Sequence, residues 1–159
     1  MIQSNIVYGK TVFLDSDAIV LKDLNELFDR VRFDVAVTSR FAPNLMPINE
    51  GVIFCNANKE RSKEFFAHYM GTYEKIKDDH VIKAITKNDL MRWRGGQLSL
   101  NAVCPGNKMV DFRDSTKELK ILPCDIYNYA VRSLEEINRL KTEGRVYIAH
   151  IKGKAKVGK

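Results

Sequence analysis

Two observations predict an α/β fold for this 159-residue chain. Short apolar, partly β-branched runs (Thr11 to Leu14, Phe33 to Ser39, the apolar end of Ile48 to Asn56, Val146 to Ala149) read as strands. Between them, apolar residues recur at helical spacing after Asp23, Asn58 and Ser133. A chain of this length is expected to be one domain, 1–159, able to bury about 70% of its unfolded surface.

The elements follow in order. Thr11 to Leu14 runs into Asp15-Ser16-Asp17, and Ile19 to Leu21 resumes apolar character. On an extended segment, residues i and i+2 share a face, so Asp15 and Asp17 can converge on one divalent cation and on the anion it carries. The same spacing also occurs in turns and caps that only meet water, so the pair needs its context. Asp23 is expected to cap a short packing helix, with Glu26 three residues on and Leu24, Leu27 and Phe28 on its inner face. Phe33 to Ser39 is a strand, and Phe41 to Pro47, with two prolines, a loop.

In Ile48 to Asn56 a polar corner feeds an apolar strand. Asn49 can donate and accept, and Gly51 permits a special backbone angle or a close approach, although a plain turn would use the same residues. Phe65, Phe66, Tyr69, Met70 and Tyr73 form an aromatic stripe that reads as core. Lys75 to Asp89 is charged and weakly patterned, a solvated helix or a connection. Gly95 and Gly96 then precede a helix-like segment with Gln97 in its first turn, where backbone N–H groups favour anions and polar ligands; a helix cap after a loop is the plain alternative. Strands are expected at Lys108 to Phe112 and Lys120 to Pro123. A helix capped by Ser133, with Glu136 three residues on and Leu134, Ile137 and Leu140 inward, leads to the last strand, which ends at His150.

Composition bounds the partners. The formal charge is +6, thickening toward Lys152, Lys154, Lys156 and Lys159, which favours anionic partners without choosing among them. No helix-turn-helix, zinc-finger or aromatic RNA-binding signature appears, so a specific nucleic-acid role is not expected. No apolar run reaches the ~20 residues of a membrane span, and Met1 to Asn5 lacks a secretory pattern, so a cytoplasmic location is the default expectation. Cys55, Cys104 and Cys124 are too scattered for a zinc site or a disulfide framework and read as small core residues.

The order of the parts says more than any one of them. Asp15-Ser16-Asp17, Asn49-x-Gly51, Gly96-Gln97 with Asn101, and His150-x-x-Gly153-Lys154 together resemble the series in family 8 glycosyltransferases, from about Lys10 to about Lys154. The resemblance implies a GT-A fold, with a mixed, mostly parallel sheet between helices. It implies Mn2+ (or Mg2+) on Asp15, Asp17 and His150, the imidazole favouring manganese, and a nucleotide-diphospho-sugar donor, UDP-sugar first, with an unidentified acceptor. Asp15 would also lie near the ribose, and Gly153 and Lys154 would close over the diphosphate. Asn49, Gly51, Gly96 and Gln97 would surround the sugar, with Gln97 at the reacting face of a retaining transfer.

The chain departs from that family at two places. The family shows Asp-Gln where this chain has Gly96-Gln97, so a carboxylate that helps orient the donor sugar is absent here and a different sugar specificity is expected. Its nucleotide pocket also draws on a βαβ-type region, ~30 or more residues long, ahead of the Asp-x-Asp strand, where this sequence has Met1 to Lys10. An N-terminally truncated transferase, a second copy or a partner chain completing the site is therefore expected. Two other readings remain open on the residues. A haloacid-dehalogenase-like phosphatase would use Asp15 as nucleophile and Asp17 as acid/base, but needs a later acidic pair that Asp78-Asp79, after Lys75-Ile76-Lys77, supplies poorly. A non-catalytic binding module would have a partner chain cover the open sheet edge.

Overall fold

The computed structural model describes residues 9–40, 47–56, 59–78, 95–104 and 119–152. These form an α/β arrangement of two mixed sheets with helices packed on them. The first sheet contains β1 (Thr11–Leu14), β3 (Val35–Ser39), β4 (Ile48–Cys55) and β5 (Leu119–Leu122), in the order β1-β4-β3-β5. The second contains β2 (Ala18–Val20), β6 (Tyr129–Val131) and β7 (Ile148–Ile151), in the order β2-β7-β6.

The expected mostly parallel sheet is corrected on this point. Among the described strands β1·β4, β3·β4 and β2·β7 are antiparallel, and only β3·β5 and β6·β7 are parallel. Connection length explains the difference. A short link such as 40–47 returns the chain antiparallel, and Arg40 N–H donates to Pro47 O across it at 2.7 Å. A parallel pair needs a crossover, and β6·β7 has one in α5 (Leu134–Glu143).

The central strands are buried on both faces, which is why they read as nearly continuous apolar runs. Val52 and Phe54 of β4, with Ala36 of β3, pack among Leu27 and Phe28 of α1 (Asn25–Arg30), Phe33, Leu122 and Ile148. Ile48, Ile53 and Cys55 face the other way, with Val35 and Val37. There they meet Phe66 of α2 (Lys59–Asp78) and Leu100 of α3 (Gly95–Val103). A third cluster, Val131, Ile137, Leu140, Val146 and Ala149, seats α5 on the second sheet.

Local signals hold in some places and give way in others. Ser133 Oγ accepts from Glu136 N–H, Glu136 accepts from Arg132 N–H, and Gly144 ends α5 at φ 65°. Leu134, expected inward, is 71% exposed because it is the first residue after the cap, before the helix turns its apolar stripe to the sheet. At α1 the cap position belongs to Leu24, and Asp23 instead accepts from Asn25 N–H and its side-chain amide. The short helix α4 (Cys124–Tyr127) and β6 had no clear signal in the sequence. Expected strand 108–112 lies outside the described residues. The three cysteines are free and buried, as expected, with Cys55 and Cys104 pushed up to about 12 by burial. Among the described residues, no helix is long and apolar enough to cross a membrane.

Candidate functional site

The chain passes from one sheet to the other through Asp15-Ser16-Asp17, and this corner builds the site. It is a tight turn rather than an extended segment, closed by Ala18 N–H donating to Asp15 O at 3.0 Å. Each acid is tied to a different sheet. Asp15 N–H donates to Gly51 O on β4 at 3.0 Å, and Ile151 N–H on β7 donates to Asp17 O at 2.9 Å.

His150 comes to the corner because β7 pairs with β2 through Ala18, the residue after Asp17. Its Nε2 lies 2.9 Å from Asp17 Oδ1 and 3.6 Å from Asp15 Oδ2. One ligand atom from each of the three residues falls within 4.8 Å of the others. Burial decreases across the set: the His150 side chain is 1% exposed, Asp17 18% and Asp15 49%, so the centre opens to solvent on the Asp15 side.

The hydrogen bonds around His150 set its protonation. Asn128 Nδ2 donates to Thr38 Oγ1 at 2.8 Å, which turns Asn128 Oδ1 toward His150 Nδ1, 2.9 Å away. Nδ1 therefore carries the proton, and Nε2, lying beside the acids, is left as an acceptor that Lys152 Nζ can donate to. Burial first, and then the Lys152 ammonium, hold the imidazole below its ordinary range against the pull of Asp17 and Asp15. A neutral imidazole nitrogen and two carboxylates at this spacing concentrate lone pairs and negative charge that a cation would balance. Lys152 Nζ, 2.8 Å from Nε2, brings one positive charge to the edge of the cluster. The donor set fits a divalent metal ion.

Gly51 keeps this space clear. A Cβ there would lie 2.6 Å from His150 Cε1, 2.9 Å from Asp15 Oδ2 and 2.9 Å from His150 Nδ1. Of the two roles open to it in the sequence, the structure assigns the close approach, made by protein side chains. A bulge makes the approach, since one step on β3, Val37 to Thr38, spans four on β4, Ile53 to Asn49. The extra residues 50–52 bow toward the acidic corner.

The remaining expected residues surround this bulge. Asn49 Oδ1 accepts from Gly51 N–H at 2.8 Å and steadies the turn. The buried Gln97 amide holds the start of β4 at two points: Oε1 accepts from Glu50 N–H at 3.2 Å, and Nε2 donates to Ile48 O. Asn101 adds bonds to Ile48 N–H and O. Gly96 abuts the Glu50 carboxylate and the Tyr69 hydroxyl. Gly153 and Lys154, like Asp79, lie outside the described residues.

Sequence reasoning missed Glu50, Asn128, Thr38 and Lys152 as parts of the site. Glu50 carried a signal, a carboxylate inside the Asn49-x-Gly51 corner; Asn128 and Thr38 carried none. Asn49, Asn128 and Lys152 also line a cavity of about 680 Å3 with Arg40, Asp125 and Arg132.

No family model matches the chain, and no curated protein matches it. Solved structures do. The glycosyltransferase GlyE of Streptococcus pneumoniae TIGR4 is similar at TM-score 0.56 and 22% identity, over 98% of this chain and 37% of that one. Its apo form gives 0.52 and 20%, over 94% and 35%. The apo bifunctional glycosyltransferase WbbM gives 0.51 and 18%, over 92% and 29%. The chain thus spans about a third of the length of the structures it resembles. At these identities the likeness is one of fold, and the α/β arrangement described above is of the kind seen in glycosyltransferases.

Proposed function

We propose that this chain carries the metal and diphosphate side of a glycosyltransferase that takes a sugar from a nucleotide-diphospho-sugar, UDP-sugar first, to an acceptor. One observation carries the reading. Asp15, Asp17 and His150, from opposite ends of the chain, present three ligand atoms within 4.8 Å, in a space that Gly51 leaves clear. The fold likeness to glycosyltransferases supports it. Manganese suits the mixed oxygen and nitrogen donors better than magnesium, and when bound it would neutralise the charge that grows on the departing diphosphate.

The residues have distinct parts in this mechanism. Asp15, the most exposed ligand, faces the donor, while half-buried Asp17 and buried His150 fix the position of the cation. Asn128 holds the imidazole in the tautomer that binds. Lys152 adds positive charge beside the leaving group, and Arg40 and Arg132 make the neighbouring cavity hospitable to an anion, with Asp125 and Glu136 limiting the net charge there. Gln97 positions the β4 bulge at the reacting face. The resemblance assigns Gly153 and Lys154 to the diphosphate, and transfer would proceed with retention.

Calorimetric titration with Mn2+ and UDP, comparing the parent with Asp17→Ala, tests the assignment. The parent should bind UDP in a Mn2+-dependent manner, and the variant should lose on the order of a hundredfold in metal-dependent transfer. Identical binding by both proteins would refute the metal assignment. UDP binding without transfer to water or any acceptor would leave a binding module.

A further inference from the structure

The metal ligand set leaves one acidic group beside it unused. Glu50 stands in the β4 bulge next to Gly51, half-buried, with its backbone N–H held by Gln97. The Tyr69 hydroxyl of α2 donates to its carboxylate. Burial, and then the charge of Asp15, hold the Glu50 carboxyl above its ordinary range, with Tyr69 opposing.

Gly96 shows where the carboxylate points. A Cβ at 96 would overlap Glu50 Oε2, with Glu50 Cδ at 3.2 Å and the Tyr69 hydroxyl at 2.9 Å. The Glu50 carboxylate therefore fills the space that a side chain at position 96 would need, and positions 50 and 96 exclude each other. The carboxylate absent from helix position 96 is delivered to the same place by the strand.

We propose that Glu50 reads the sugar of the nucleotide-diphospho-sugar, accepting hydrogen bonds from its hydroxyls while Tyr69 holds the carboxylate in place. The inference rests on the transferase reading above. Sugar hydroxyls are donors, an ionised carboxylate accepts through up to four lone pairs, and such charge-assisted bonds are about twice as strong as neutral ones.

The test uses UDP alone and a panel of UDP-glucose, UDP-galactose and UDP-N-acetylglucosamine, titrated in the presence of Mn2+. Glu50→Gln should leave UDP affinity within about twofold and lower affinity for the preferred UDP-sugar about tenfold. The exchange Glu50→Ala with Gly96→Asp should recover most of that loss, whereas Glu50→Ala alone should not. Thermal melting of each variant confirms that it is folded. UDP binding with unchanged sugar selectivity in Glu50→Gln overturns this inference alone. Absence of Mn2+-dependent UDP binding in the parent overturns the transferase reading, and this inference with it.

Discussion

Replacing Gly51 by alanine probes the centre without touching a ligand. Its φ is not positive, so alanine can adopt the backbone, and the effect is one of space. The new methyl would stand 2.6 Å from His150 Cε1 and 2.9 Å from Asp15 Oδ2, closer than real Cβ atoms come. His150 cannot yield, being 1% exposed and held by Asn128. Asp15, 49% exposed, can swing toward solvent, which would break the proposed ligand set. Overpacking of this kind costs about 1–3 kcal/mol. Displacing a group that orients metal ligands lowers affinity about 10–100-fold, or about 1.4–2.7 kcal/mol. Calorimetry with Mn2+, paired with thermal unfolding, should show both losses. Melting and Mn2+ affinity equal to the parent's would refute the account of Gly51 as the residue that keeps the centre open.

Two further tests concern stability. Gly71→Ala, in the middle of α2 with nothing within 4 Å, should stabilise by about 0.5–1 kcal/mol, while Gly144→Ala, at φ 65°, should destabilise by about 1 kcal/mol; denaturant titration reads both, and equal shifts would count against the helix geometry. Glu50→Gln should raise the melting temperature at pH 7. The folded carboxyl lies above its ordinary 4.5, so its ionisation weighs on the folded state at neutral pH, and the gain should vanish as pH falls through the folded value to below 4.5. A gain that does not depend on pH would mean that Glu50 is not held uncomfortably charged.

The acidic corner was legible because chemistry and position coincide there: two aspartates one residue apart, at the end of an apolar run. Its local geometry was not, since a turn closed by Ala18 brings the acids together where an extended segment had been expected. His150 was found through the order of motifs, and β2·β7 pairing supplies the physical link. Strand direction was opaque because it depends on which strands become neighbours, and apolar runs do not encode that. Gly51 announced a special position, yet its reason, the approach of His150 and Asp15, lies 99 residues on in the one case and 36 back in the other. Glu50 shows the converse, an ordinary-looking acid whose meaning depends on what is absent at Gly96.

The Asp15-Ser16-Asp17 turn is also the seam between the two sheets. Asp15 belongs by its backbone to the first, His150 to the second, and Asp17 is bonded to β7. An ion gripped by all three would rivet the halves together, binding the assembled seam and not the separated sheets. By mass action it would then raise stability in proportion to the logarithm of its concentration. Cation loading and sheet docking would become one equilibrium, and agents that pry the sheets apart would expel the ion.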